Sequence, residues 1–243
     1  MQEPAGRTVL VAGPDVSGAG AALQALGSSI VIVGPETSSF ADCDAAVADA
    51  VAAHGSVDVL LLPVPPRSSA RLSQLDASEW RAGIDAVTRR STGLLRAFAR
   101  HRVSAGGGGH VVSFASSAVF DSDGVGQASM NAAVLSLTSG ASATLAPHGI
   151  AVNCIVLGGP ERQGGMPRPD TDDDAALLAL VAHLASVEPS FTGRYLYCGG
   201  RDIGLYAMPL TIEQAHLLVR LPEPVGPDEL GAVLAPLAEV GQA

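Results

Sequence analysis

The sequence predicts an α/β fold, a doubly wound parallel sheet in a single domain spanning 1–243. Three observations carry this reading. Short runs rich in Val, Ile and Leu, at Thr8–Ala12, Ile30–Val33 and Ser56–Leu62, look like strands buried on both faces. Between them lie stretches with apolar residues at helical spacing, such as Trp80, Ile84, Val87, Leu94, Leu95 and Phe98. Abundant Ala, Gly and Val with 4% aromatic residues suits small, tightly packed helices, and 243 residues suffice for one sizeable core.

Charge narrows the function classes. A formal net charge of −10 argues against nucleic-acid or anionic-membrane partners, which need clustered cations. All 14 basic side chains are arginine, and the chain contains no lysine. Cys43, Cys154 and Cys198 stand far apart, reading as buried reduced thiols; neither a disulfide frame nor a metal site is expected. The N-terminus leads directly into a strand without a signal-peptide profile, and no apolar run approaches a membrane span. The expectation is a soluble, cytoplasmic protein.

Taken in order, strand Thr8–Ala12 ends in Gly13, and Gly13–Gly20 turns the chain into a helix over Ala21–Leu26. Ile30–Val33 is the second strand, ending in Gly34–Pro35, with Glu36 the nearest acid. Only one good helix, Asp44–His54, separates it from the strand Ser56–Leu62, and Phe40–Cys43 reads as a stub of a third strand. A crossover helix needs about 10–12 residues, so one crossover is missing here. A long helix follows from about Ser78, capped by Asp76 or Ser78. Gly106–Gly109 is a surface turn before the strand His110–Ser117. A second long helix, 127–146, precedes the strand Gly149–Val156. Asp172, Asp173 and Asp174 read more simply as the first turn of a helix, favoured by its dipole, than as metal ligands. A final strand ends at Gly199–Gly200, leaving an extension, 201–243, with a terminal helix over Pro227–Val240.

The run Gly126–Val134, followed by Leu145-Ala146-Pro147-His148-Gly149-Ile150-Ala151-Val152-Asn153, resembles the short-chain dehydrogenase/reductase family. The likeness extends over the core, 7–200, through Asp58-Val59-Leu60-Leu61, the strand before Ser116 and the Gly-Gly ending of the last core strand. It implies a Rossmann-like sheet, here truncated between its second and fourth strands. It also implies a Tyr-x-x-x-Lys pair, and those two positions hold Gln127 and Asn131. Ser116 stands on the family's catalytic serine; a strand-end hydroxyl satisfied by backbone is the alternative for it. The family's asparagine would fall near Val87 or, on a shifted register, Arg90. Its glycine-rich cofactor turn is met only by Gly13, Gly18 and Gly20 with one residue inserted, and Pro14 removes an amide. Pro63-Val64-Pro65-Pro66 replaces the family's Asn-Asn-Ala-Gly.

A proton transfer in that family needs a titratable side chain beside a cation, which Gln127 and Asn131 cannot supply. The resemblance therefore implies a degenerate member, with no cofactor expected. It would serve as a non-catalytic subunit of an active family oxidoreductase. Assembly would run through helices 78–100 and 127–146 and the terminal strand, as a hetero-oligomer or as a homodimer or tetramer. The stretch Arg201–Tyr206 would reach the partner's pocket. A cofactor-independent enzyme, with Asp121 or Asp123 as base, is the second reading. An atypical NAD(P)-dependent dehydrogenase is the third.

Overall fold

The computed structural model describes residues 6–13, 23–24, 27–65, 72–117, 125–158, 172–199, 202–206, 216–220 and 226–234. Strands β1 (Thr8–Ala12), β2 (Ser29–Val33), β3 (Val59–Leu62), β4 (Gly109–Ser116), β5 (Ile150–Leu157), β6 (Tyr195–Gly199), β7 (Asp202–Tyr206) and β8 (His216–Arg220) form one sheet in the order β2-β1-β3-β4-β5-β6-β7-β8. The six strands up to β6 run parallel. β7 and β8 are antiparallel, so the parallel sheet expected from sequence is a mixed one.

Alternation along each strand divides the apolar side chains between two layers. Val9, Val11, Leu61, Val112, Phe114 and Ile155 meet Leu177, Leu180 and Leu184 of helix α5 (Asp172–Leu184) on one face. On the other, Leu10, Leu60, Leu62 and Val111 meet Cys43 and Val47 of α1 (Phe40–His54) and Leu94 and Phe98 of α3 (Thr92–Ser104). Ala115, Cys154 and Val156 meet Met130, Val134 and Leu135 of α4 (Val125–Leu145). Burial of Cys154 pushes its thiol up to about 12, consistent with an inert core cysteine.

The missing crossover is observed: β2 leads through one helix, α1, to β3, and no strand lies outside β2 among the described residues. Phe40–Cys43 is not a strand stub. It is the first turn of α1, where Ser39 and Asp42 form a reciprocal capping box. The single long helix expected from Ser78 is also interrupted. Asp76 caps α2 (Ala77–Asp85) through the Ser78 amide, and a π-helical turn, Ala86–Ser91, joins α2 to α3.

The extension beyond Gly200 completes the sheet. β7 pairs with β6 from Tyr195↔Tyr206 to Gly199↔Asp202, which places the terminal core strand inside the sheet. Helix α6 (Pro227–Leu234) starts at the expected proline and buries Leu230 in the same cluster as α5. The expected continuation to Val240 lies outside the described residues. β6 therefore offers no free edge for the second family-type interface that the resemblance implied.

At the amino ends of the strands, Asp58 ties four segments together. Its Oδ2 accepts from the Thr8 amide at 3.0 Å and the Ser56 hydroxyl at 2.9 Å. Its Oδ1 accepts from Arg102 at 2.8 Å, and its carbonyl accepts from the His110 amide at 3.0 Å. Arg102 also donates to Gly107 and Gly108, whose positive φ values of 89° and 77° only glycine adopts readily. Gly106–Gly109 is thus a turn clamped by arginine.

His110 is 6% exposed, and its Nδ1 has no hydrogen-bond partner among the described residues. Desolvation and the nearby Arg7 and Arg102, opposed by Asp58, lower its pKa from 6.5 to about 3. The unfolded chain therefore binds a proton that the fold refuses as pH falls below 6.5, and stability declines down to about pH 3. At pH 5 this costs about 2 kcal/mol. Urea titrations at pH 7 and pH 5 should show that loss, and His110→Leu should reduce it; an equal loss in both proteins would exclude His110 as the source.

Candidate functional site

The carboxyl ends of β1, β3, β4 and β5 converge where open α/β sheets place ligands. Ser116 closes β4, 1% exposed and opposite Leu157 of β5. Gln127 and Asn131 lie one turn apart on α4, 8% and 0% exposed. The structure brings all three together through Asn131. Its Oδ1 accepts from the Ser116 amide at 2.7 Å, and its Nδ2 donates to the Gln127 carbonyl at 2.8 Å. The Asn131 side chain thus ties helix α4 to the end of β4. It is a buried neutral amide with its oxygen and nitrogen both engaged.

The packing behind this point is tight. A void of about 10 Å³ bounded by Leu62, Pro63, Ser91, Leu95, Val134 and Thr138 has room for one water at most. Ser113 and Thr138 bridge β4 and α4 through their hydroxyls at 2.7 Å. Tyr195 donates to the Leu135 carbonyl at 3.0 Å, and burial raises its phenol pKa. Tyr197 was not anticipated from sequence: its ring lies across Gly158 and Gly199, in space a Cβ on either would fill. The two glycines flanking these strand ends were the available signal.

Near β1 the crevice holds an arginine. Arg90 Nη2 donates to the carbonyls of Val33 and Gly34, both at 2.8 Å. Gly13, with φ 100°, donates its amide to the same Val33 carbonyl at 2.8 Å. Glu36 is exposed, and its carboxylate folds back over Gly34. Val87 is buried in the α4 cluster. Gly18, Gly20, Asp121 and Asp123 lie outside the described residues. No cluster of His, Cys, Asp or Glu suited to a metal occurs among the described residues, and no helix there is long and apolar enough to cross a membrane.

Of what a nicotinamide dinucleotide would meet, Gly13 suits a close backbone approach. Pro63 gives no amide, the adenine side lacks a crossover, and the Arg90 guanidinium lies over the carboxyl ends of β1 and β2. The described residues do not fit the cofactor well.

Comparison with known proteins places the scaffold. Residues 4–171 match the family model for short chain dehydrogenases. A search of curated proteins by sequence finds no match. Among solved structures, a short-chain dehydrogenase/reductase from Serratia marcescens BCRC 10948 superposes with a TM-score of 0.68 at 22% identity, covering 82% of this chain and 98% of its own. The 3-ketoacyl-(acyl-carrier-protein) reductase of Brucella melitensis, solved with NADH, superposes with a TM-score of 0.69 at 20% identity, covering 81% and 98%. A short-chain type dehydrogenase/reductase from Mycobacterium marinum gives 0.68 at 20% identity, covering 82% and 95%. At these identities the structural likeness concerns the fold, while the family model spans more than half of the chain. The chain belongs to the short-chain dehydrogenase family.

Proposed function

We propose that this chain is a non-catalytic subunit that pairs with an active member of its family and works without a nicotinamide cofactor. The observation that supports it is Asn131. Reduction or oxidation of a carbonyl at this place needs a proton donor whose anion a neighbouring cation stabilises. Asn131 carries no charge, Gln127 does not titrate in the working range, and the chain has no lysine to substitute.

The surfaces that remain suit assembly. Helix α4 runs for 21 residues without a charged side chain, although it exposes Ala132, Ser136, Ser139, Gly140, Ala143 and Thr144. On a chain of net charge −10, such a face matches the depletion of charge at protein interfaces. Pairing through α3 and α4 leaves the β7–β8 end of the sheet outside the contact.

The test is titration of the purified chain with NADH and NADPH, following nicotinamide fluorescence, together with mixing against a lysine-containing family partner. Absence of binding to millimolar cofactor and formation of a mixed oligomer are expected. Micromolar cofactor binding, or a homodimer that exchanges with no such partner, would overturn the reading.

A further inference from the structure

We propose that Arg90 is the residue that excludes adenine nucleotides from the crevice between β1 and β2, a proposal that rests on the cofactor-free reading above. The argument starts from the π-helical turn. The turn Ala86–Ser91 carries two adjacent arginines, Arg89 and Arg90, whose side chains leave the helix in different directions, as neighbours on any helix do. The two adjacent arginines have opposite fates. Arg89 stays on the surface, 3.2 Å from Asp85 with a side chain 63% exposed. Arg90 instead crosses to the far side of β1 and reaches the Val33 and Gly34 carbonyls of the second strand's end.

Its position coincides with the ligand's. In a doubly wound sheet the nucleotide lies over the carboxyl ends of the strands, and the glycine after β1 gives it a bare backbone to rest on. The guanidinium takes that place: a Cβ on Gly13 would stand 3.5 and 3.6 Å from Nη1 and Nη2, ordinary van der Waals contact. A planar cation therefore occupies the slot that a flat sugar or base would need. Its Nη2 is committed to two backbone carbonyls, which holds the guanidinium in this place. The Cys43 thiol of α1 donates to the Arg90 carbonyl at 3.9 Å, a weak contact between α1 and the turn. The first turns of α1 pack against this segment.

The experiment compares wild type with Arg90→Ala and Arg90→Gln, titrated with ADP-ribose and with NADH by calorimetry, with circular dichroism confirming the fold. ADP-ribose is the dinucleotide without its nicotinamide, so its binding reports on the adenosine diphosphate side. Wild type should show no binding of either ligand up to millimolar concentration, and Arg90→Ala should bind ADP-ribose at least tenfold more tightly than that limit. Arg90→Gln, able to keep one carbonyl bond, guards against a variant that fails to fold and should show the same gain. A folded variant that binds no better than wild type overturns the proposal and leaves the cofactor-free reading standing. Binding of ADP-ribose by wild type that is lost in Arg90→Ala overturns it differently, by making Arg90 a phosphate ligand. Micromolar NADH binding by wild type overturns the underlying reading itself.

Discussion

Replacing Asn131 by alanine is expected to lower stability by about 3 kcal/mol. The side chain is fully buried, and its loss removes the acceptor 2.7 Å from the Ser116 amide while opening a small cavity. An orphaned buried donor costs about 1–3 kcal/mol and the cavity adds to it. The Gln127 carbonyl stays within the helix and contributes less. Asn131→Leu fills the volume without supplying an acceptor, so it isolates the hydrogen-bond part at about 1–2 kcal/mol. Asn131→Lys should be the most damaging of the three, since it places an ammonium where the amide has no exposed surface. The double variant Gln127→Tyr, Asn131→Lys, which rewrites the family's pair, is therefore expected to fold poorly and to show no reductase turnover. Urea midpoints and a NADH oxidation assay decide it. A double variant as stable as wild type and active with a carbonyl substrate would show that the site needs only two side chains to work.

Removing the carboxylate of Asp58 is expected to cost a similar amount, about 3 kcal/mol, by a different route. Asp58 and Arg102 are 22% and 16% exposed, so the pair is largely withdrawn from water. Deleting one partner leaves the guanidinium poorly compensated and frees the Thr8 amide and Ser56 hydroxyl. Full burial would set the cost at about 3–5 kcal/mol, and the residual exposure places Asp58→Ala at the low end. Asp58→Asn keeps an acceptor for Thr8 and should lose less. Thermal and urea denaturation of the two variants measure the difference; equal stabilities for Ala and Asn would mean that the hydrogen bond to Thr8 contributes nothing.

Much of this architecture was legible because it is written locally. The apolar runs of β1, β3 and β5 and the Ala-rich body of α4 each announce their element. The start of α1 was legible too, through Ser39 and Asp42, but Phe40 and Ala41 suggested a strand when read without that cap. What the sequence did not disclose is tertiary. β7 is a five-residue segment whose pairing depends on the edge that β6 offers. The π-helical turn leaves no mark in composition, and nothing in the pair Arg89-Arg90 tells which arginine reaches the end of β2. The amide of Asn131 reads as an absence of chemistry in sequence, and only its two backbone partners reveal its structural task.

The edge at β2 carries a consequence for how this protein behaves in concentrated solution. In the strand Ser29–Val33, four of five residues are β-branched and apolar, Ile32 is 56% exposed, and there is neither charge nor proline. Natural sheets usually guard such an edge with lysine, proline or a bulge, because an unguarded one templates intermolecular pairing. Shortening the fold on this side has therefore moved the sheet's boundary onto a strand with the composition of an interior one. Colloidal behaviour and refolding yield, more than melting temperature, are where the lost crossover makes itself felt.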